Sequence, residues 1–224
     1  MNREIVACEL CPRLRDYGRE VARVKRRAYL DWDYWGKPVP GFGDPHARAL
    51  LIGLAPGAHG SNRTGRMFTG DSSGDFLYRA LYETGFATQA ESRSRADGLE
   101  LEGAYIAAAG RCAPPDNKPS PKELAKCRPY LERELDLLKD VRVVVALGGV
   151  ALRTYLGILR DRGAIKSLTA FPFGHNKVYR PAAGLPVLLA SYHPSQQNTS
   201  TGKLTAAMLR EIFERARELS RCAG

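Results

Sequence analysis

Residues 49–74 read ALLIGLAPGAHGSNRTGRMFTGDSSG, and this stretch decides the fold. It begins with an apolar run, residues 49–54, which is bounded by turn residues and predicts a buried strand. The chain then enters a long loop rich in Gly, Ser, Asn and Thr. Loops of this length inside a compact domain are usually functional, and open α/β sheets bind their ligands at the carboxyl ends of parallel strands. The stretch therefore predicts a strand that leads into a binding site.

The same order of strand, loop and helix recurs along the chain. Three further apolar runs predict buried strands at residues 105–109, 141–147 and 186–190. Apolar residues at helical spacing follow the strands and predict helices at residues 75–85, 121–140, 150–159 and 203–219. Strands that alternate with helices predict an α/β fold, with a mostly parallel four-stranded sheet and helices on both faces.

Length and charge narrow the class of protein further. The chain has 224 residues, which fit one domain, with residues 1–45 forming a basic and then irregular N-terminal segment. Its 34 Lys and Arg against 24 Asp and Glu give a formal charge of +10, which indicates a polyanionic partner, although a basic solubility surface gives the same balance. No apolar run approaches the ~18 residues of a membrane span, and the first residues lack a signal-peptide core. We therefore expect a cytoplasmic protein.

Five cysteines form a second pattern. Cys8 and Cys11 are spaced as C-x2-C, whereas Cys112 and Cys127 are separated by fourteen residues. Cytoplasmic cysteines are more often ligands or free thiols than disulfides, and the C-x2-C spacing occurs in both zinc sites and iron–sulfur clusters. The second pair lacks the spacing of a zinc ribbon. A cluster, a structural zinc and four reduced core thiols all remain open, and we interpret Cys222 as unpaired.

Three residues are candidates for a ligand-binding site: Phe68 within the first stretch, and Asn117 and His193 outside it. His193 directly follows the fourth predicted strand, so it faces the ligand crevice or serves as a structural histidine. The amide of Asn117 carries donors and an acceptor and can bind the edge of a base, although a turn residue is the plainer interpretation. Phe68 offers a face on which a base can stack, or it is a core aromatic residue.

Three motifs together resemble those of the uracil-DNA glycosylase superfamily. They are GLAPGAHGSNRTGRMFTGDSSG at residues 53–74, RCAPPDNKPSP at 111–121 and SYHPSQQNTSTGKLT at 191–205. The cysteine order is similar to that of the iron–sulfur branch called family five, or type b, and the resemblance covers nearly the whole chain. It implies a three-layer α/β/α sandwich that carries a 4Fe-4S cluster. The ligands implied are Cys8, Cys11, Cys112 and Cys127.

The resemblance also implies an activity. Such a protein is a monofunctional DNA glycosylase that flips uracil or another deaminated base out of DNA and hydrolyses the N-glycosidic bond, leaving an abasic site for base excision repair. Its partner is DNA that contains such bases, and we expect a monomer associated with the nucleoid. Family members of this type accept hypoxanthine, xanthine, ethenocytosine or hydroxymethyluracil besides uracil, so the resemblance implies broad base specificity.

Residue roles follow from the matching positions. Many relatives carry a polar residue at the positions of Leu54 or Ala55, where it activates the attacking water, but both are apolar here. The resemblance makes Asp71 the replacement, with His193 as the second catalytic residue. The implied substrate-binding residues are Gly53, Ala55, Gly57, Phe68, Asn117 and His193. The implied DNA-binding residues are Arg63, Ser195, Gln196, Gln197, Asn198 and Lys203. Further positive charge around the pocket is expected from Arg66 and Arg111.

The apolar pair Leu54-Ala55 also supports an alternative. Without a carboxylate in the first motif, the chain is alternatively a non-enzymatic nucleic-acid-binding module with a structural metal or cluster. A third interpretation, an enzyme of free mononucleotides, is disfavoured by the basic N-terminal segment and by the polar loop after His193.

Overall fold

A six-stranded sheet runs through the centre of the protein, and the computed structural model describes residues 1–222. The strands are β1 Phe42–Gly43, β2 Ala49–Gly53, β3 Ala104–Ala108, β4 Val143–Leu147, β5 Lys177–Tyr179 and β6 Val187–Ser191. Their order in the sheet is β1-β3-β2-β4-β6-β5. The four inner strands are parallel, which confirms the four predicted strands, and all of their carboxyl ends meet at one edge.

The prediction of four strands is too low by two. β1 and β5 pair antiparallel with the outer parallel strands and close the two edges of the sheet. They have only two and three residues, and their side chains are partly or fully exposed. Such short strands lack an apolar run, so their pairing depends on the neighbouring strand and leaves no signal in the sequence.

Helices cover both faces of the sheet. The α-helices are α1 Asn2–Val6, α2 Pro12–Val24, α3 Ser61–Thr64, α4 Ser72–Glu83, α5 Pro121–Leu137, α6 Gly149–Asp161, α7 Gln196–Ser200 and α8 Ala206–Cys222. α4 and α8 pack on one face, where Leu77 and Phe213 meet the strand residue Leu51. α5 and α6 pack on the other face, where Leu131 and Tyr155 belong to a second core cluster. The three layers of the predicted α/β/α sandwich are therefore present.

One helix begins earlier than its apolar pattern predicts. α4 starts at Ser72 rather than at residue 75, because the Asp71 side chain accepts a hydrogen bond of 3.0 Å from the Gly74 N–H and caps the helix. At α5, by contrast, the Ser120 cap and its Glu123 partner form a complete capping box. The earlier start of α4 means that Asp71 is both the last residue of the long loop and the N-cap of this helix. The side chain of Cys222, predicted to be unpaired, lies outside the described part of the chain.

The basic N-terminal segment lies against the long loop. The Asn62 side-chain amide donates to the Gly18 carbonyl over 3.2 Å, a buried contact that joins α3 to α2. Much of the positive charge of α2 is paired with nearby carboxylates. The pairs are Arg13–Glu123, Arg19–Glu9 and Arg23–Glu20. Within residues 1–222, no helix combines the length and the apolar character that crossing a bilayer requires.

Candidate active site

A cleft of about 790 Å³ opens at the carboxyl edge of the parallel strands. Its size is within the range of small-molecule sites, and its place in the sheet is the usual one for α/β proteins. Loops that follow β2, β3 and β6 form its walls. Nine of the predicted site residues line it together: Ala55, Gly57, Phe68, Asp71, Asn117, His193, Ser195, Gln196 and Gln197.

Asp71 lies on the glycine-rich loop at one side of this cleft. Its Oδ1 caps α4, while Oδ2 lies so close to the backbone that a Cβ at Gly60 would overlap it and one at Gly57 would approach it to 2.8 Å. Burial raises the pKa of Asp71 above its usual value, and a hydrogen bond from the Gly74 backbone opposes this shift. The two glycines therefore make the space that this carboxylate occupies.

Phe68 is held with its ring against the end of β2. A Cβ at Gly53 would come within 2.8 Å of the ring, so only glycine fits below it. Phe68 has φ of 51°, a left-handed conformation that costs a bulky residue about 1–3 kcal/mol. Gly74 at the start of α4 packs directly on the Phe68 carbonyl and leaves no room for a side chain. Tight packing thus maintains a strained backbone that presents the ring to the cleft.

Asn117 enters the cleft from the loop after β3. It ends a 3-10 turn, Pro115–Asn117, and both Asp116 and Asn117 have left-handed φ values, 53° and 56°. Asn and Asp tolerate this conformation better than most residues because their short polar side chains can hydrogen-bond locally. Asn117 is exposed, so its amide is available to a ligand in the cleft.

His193 faces the cleft just after β6. Gly148, with φ of 101°, lies beneath it, and a Cβ there would be 3.3 Å from that of His193. The His193 carbonyl accepts a hydrogen bond of 2.8 Å from the Asn198 amide. The centroid of the His193 ring lies 5.8 Å from that of the Phe68 ring. Burial lowers the pKa of His193 to about 4, so the imidazole is neutral at physiological pH. Among the described residues, its ring nitrogens have no hydrogen-bond partner.

Arg63 does not occupy the position that was predicted for it. Only 3% of the residue is exposed, and its guanidinium lies 3.9 Å and 4.1 Å from the ring centroids of Tyr29 and Trp32. Its N–H groups donate to the carbonyls of His59 and Gly70. The prediction that Arg63 contacts DNA is therefore wrong, since the side chain is used to hold the ends of the long loop together.

Arg66 and Arg111 are likewise absent from the surface of the cleft. Arg66 forms two hydrogen bonds of 2.8 Å with Asp97, and these hold the pKa of that carboxyl well below its usual range despite its burial. Arg111 pairs with Glu134 in the interior. The prediction that these arginines add positive charge around the pocket is wrong, because their charges are buried and paired.

The segment after His193 forms a short helix rather than an open loop. The Ser195 side chain caps α7, and Gln196 and Gln197 are exposed at the rim of the cleft. Asn198 lies outside the cleft lining because its amide holds the His193 carbonyl. Lys203 also lies outside the lining, with Nζ 5.0 Å from the ring centroid of Tyr192.

Sequence reasoning missed several residues that line the cleft. Tyr17 reaches it from α2, because Asn62 ties that helix to the long loop. No pattern in the sequence indicates this contact, which depends on packing between distant segments. Lys118 is beside Asn117 and could have been found from that adjacency. His59, whose Nδ1 lies 3.0 Å from the Tyr34 hydroxyl, also lines the cleft.

The four predicted cysteine ligands line a second, smaller cavity. Cys8 and Cys11 approach it from the N-terminal segment, and Cys112 and Cys127 from the β3–α5 region. Burial raises the pKa of Cys112 to about 12 and that of Cys127 to about 11. Within residues 1–222, no three such side chains converge as ligands of a single metal ion. The thiols therefore surround a space and do not meet at one point.

The fold and the cleft identify the class of protein, which is an α/β protein with a ligand site at the carboxyl edge of a parallel sheet. The Uracil DNA glycosylase superfamily model matches residues 40–217. A Type-5 uracil-DNA glycosylase of Thermus thermophilus is 53% identical, over 96% of this chain and 95% of that protein. Type-5 uracil-DNA glycosylases of Mycobacterium leprae and Pyrobaculum aerophilum are 49% and 47% identical, over 98% and 95% of this chain and 94% and 88% of theirs. The chain therefore belongs to the uracil-DNA glycosylase superfamily, in its type-5 branch.

Proposed function

We propose that this protein is a monofunctional DNA glycosylase that removes uracil from DNA by hydrolysis of the N-glycosidic bond. One observation carries the proposal: Phe68, Asp71, Asn117 and His193, which come from three separate loops, line one cleft. The type-5 relatives support it, because each is called a uracil-DNA glycosylase. The deaminated base must leave the duplex to reach such a cleft, and the cost of unpairing is lowest at a damaged or mismatched base.

Base binding in this proposal uses a stacking surface and a polar edge. The flipped base stacks on Phe68, and the Asn117 amide hydrogen-bonds to its edge. The backbone from Gly53 to Gly57, with Ala55, closes the pocket beside the base. Both Phe68 and Asn117 have left-handed φ values, and strained backbone of this kind is concentrated at binding sites.

Bond cleavage uses a donor for the leaving base and a positioned water. As the glycosidic bond breaks, negative charge develops on the base, and the neutral His193 N–H donates to it. One such donor contributes about 3 kcal/mol to transition-state stabilisation, by analogy with an oxyanion-hole donor. The Asp71 carboxylate orients the water that attacks the sugar carbon. This arrangement replaces the first-motif carboxylate that Leu54 and Ala55 do not provide.

DNA contact involves the segment after His193. Ser195, Gln196 and Gln197 enter the minor groove beside the extruded base, and Lys203 contacts a phosphate. Asn198 acts on this surface through the His193 carbonyl, which its amide holds in place. A DNA substrate would place the protein at the nucleoid in the cytoplasm, and we expect it to act as a monomer.

The cysteine cavity is proposed to hold a 4Fe-4S cluster with Cys8, Cys11, Cys112 and Cys127 as ligands. Its support is that all four thiols line one cavity. A single zinc ion would need its sulfur ligands about 2.3 Å from one centre, whereas a cluster can bridge thiolates that surround a space. Bound there, the group would connect the N-terminal segment covalently to the β3–α5 region. Metal analysis that finds zinc and no iron would refute the cluster.

A strand-cleavage assay tests the activity. The protein is incubated with a duplex that carries one uracil, and abasic sites are then cleaved with alkali. We expect a strand product with wild-type protein and strongly reduced product with Asn117→Ala. The non-enzymatic alternative predicts DNA binding without product, and the mononucleotide alternative predicts no competition by undamaged DNA.

Base specificity is proposed to be broad, since the first motif lacks a polar residue that would reject other bases. Duplexes with hypoxanthine, xanthine, ethenocytosine or hydroxymethyluracil in place of uracil test this. We expect product from several of them. Product from uracil alone would contradict broad specificity and leave the glycosylase proposal intact.

A further inference from the structure

Arg111 is a buried guanidinium whose hydrogen bonds are incomplete. Only 1% of the residue is exposed, and its Nη2 donates to Glu134, which is fully buried. Its Nε and Nη1 are also buried and have no partner among the described residues. An unsatisfied buried donor costs about 1–3 kcal/mol, and more when the group is charged. The Arg111–Glu134 pair therefore leaves part of the guanidinium without an acceptor.

The position of Arg111 indicates which acceptor it faces. The residue directly precedes Cys112, and it lines the cavity that the four cysteines surround. Cys127, on α5, lines the same cavity. Arg111 thus lies beside the candidate ligands.

The cavity has further cationic groups around it. Arg15 is buried, lines the cavity, and its charge opposes the raised pKa of Cys112. Lys126 lines it as well and has the same effect on Cys11. Arg15 already pairs with Glu9, and Lys126 is exposed. Among these three cations it is therefore Arg111 whose buried donors an anionic group with several acceptors would satisfy.

We propose that Arg111 donates N–H hydrogen bonds to sulfur atoms of the anionic group held by Cys8, Cys11, Cys112 and Cys127. The inference rests on the proposed cluster and adds a residue that stabilises its charge. Hydrogen bonds to sulfur and nearby charge are established means by which proteins tune iron–sulfur clusters. Glu134, which also lies within 3.5 Å of the Tyr105 hydroxyl, fixes the guanidinium in the orientation that leaves Nε and Nη1 free.

Arg111→Gln tests the proposal in the iron-loaded protein. We expect iron release to a chelator, measured without oxygen, to become at least about tenfold faster, as found when outer hydrogen-bond partners of metal ligands are removed. The visible sulfur-to-iron charge-transfer bands should shift, because they respond to hydrogen bonds at sulfur. Arg111→Lys keeps the charge but loses the planar fork, so it should give intermediate values.

A matched control separates this effect from general destabilisation. Arg66 is also buried and paired with a carboxylate, Asp97, but it does not line the cysteine cavity. Arg66→Gln should lower the melting temperature while iron release and the charge-transfer bands stay as in the wild type. The proposal is overturned if Arg111→Gln also lowers the melting temperature but leaves iron release and the charge-transfer bands unchanged.

The role of Arg111 can still be tested if Arg111→Gln fails to fold. Arg111→Gln leaves Glu134 as an unpaired buried charge, which alone can unfold a protein. The double variant Arg111→Gln/Glu134→Gln removes both charges, and it should fold but show the same band shift and faster iron release. Unchanged bands in the double variant would refute the role of Arg111. Wild-type protein that contains no iron would instead refute the cluster itself.

Discussion

His193 illustrates how burial sets the chemistry of a single side chain. Its pKa is lowered to about 4 by burial, so the ring is a neutral imidazole, which is the form that our proposal uses as the donor. His193→Ala should lower the single-turnover rate about 10²–10³-fold, the usual loss for one transition-state donor. The wild-type rate should show no inflection near pH 6.5, since the histidine does not titrate there. A rate that falls as pH rises through 6.5 would show that the cationic form is needed.

The same burial predicts a pH dependence of stability. Between pH 6.5 and about 4 the unfolded chain binds a proton at His193 that the folded protein does not, so the free energy of unfolding falls as pH decreases. The shift corresponds to about 3 kcal/mol. Urea unfolding of wild type and His193→Gln across this range measures it. The variant should lose less stability than the wild type toward pH 4, and parallel curves would contradict the prediction.

Asp71 caps α4 and has a proposed role in catalysis, and one substitution can separate the two. It caps α4, and Asn is as good a cap as Asp, so Asp71→Asn should keep the melting temperature nearly unchanged. The amide cannot act as a base, so the single-turnover rate should fall strongly. Because burial raises the pKa of Asp71, the wild-type rate should rise with pH through an acid limb above the usual carboxyl range, and this limb should disappear in the variant.

Asp75 provides the control for this experiment. It lies in the first turn of the same helix, and burial raises its pKa as well, but it does not line the cleft. Asp75→Asn should keep the rate at neutral pH and should keep the acid limb, but at a lower pH, because the Asp75 charge helps to raise the pKa of Asp71. Full activity of Asp71→Asn would show that the carboxylate is not needed for catalysis and that backbone groups orient the attacking water.

At the scale of elements, the end of β2 and the start of α4 together fix Phe68. Gly53→Ala would place a Cβ 2.8 Å from the Phe68 ring, which cannot move back because Gly74 packs on its carbonyl. We expect kcat/KM to fall about 10²-fold, the loss that follows a misplacement of about 1 Å. Gly157→Ala is the control: it lies within α6 with open space around it, and it should add about 0.5–1 kcal/mol of stability without changing activity.

Elements of the fold differ in how well the sequence predicts them. The inner strands are long apolar runs buried on both faces, so they and the loops after them could be placed from local pattern. Arg63 could not, because an arginine beside a glycine-rich loop gives the same pattern whether it faces DNA or lies between Tyr29 and Trp32. Tyr17 enters the cleft only through the packing of α2 on α3. Local pattern thus located the cleft but not the residues that tertiary contacts bring to it.

The whole molecule carries a formal charge of +10, but its distribution matters more than its sum. Many arginines are paired with carboxylates, and Arg15, Arg63, Arg66 and Arg111 are buried. Charge that is buried or paired attracts a distant polyanion weakly. Exposed cations near the cleft include Lys118 at its wall and Lys203 beyond α7.

This distribution predicts which lysines give DNA binding its salt dependence. Each phosphate contact contributes about one to the slope of log affinity against log salt concentration, so Lys118→Gln should reduce the slope by about 1 and weaken binding at low salt. Lys139 is equally exposed but precedes β4, at the opposite edge of the sheet, and Lys139→Gln should leave the slope unchanged. Fluorescence anisotropy with an undamaged duplex between 50 and 200 mM salt measures both. Equal slopes for the two variants would mean that the net charge, and not the cleft edge, attracts the DNA.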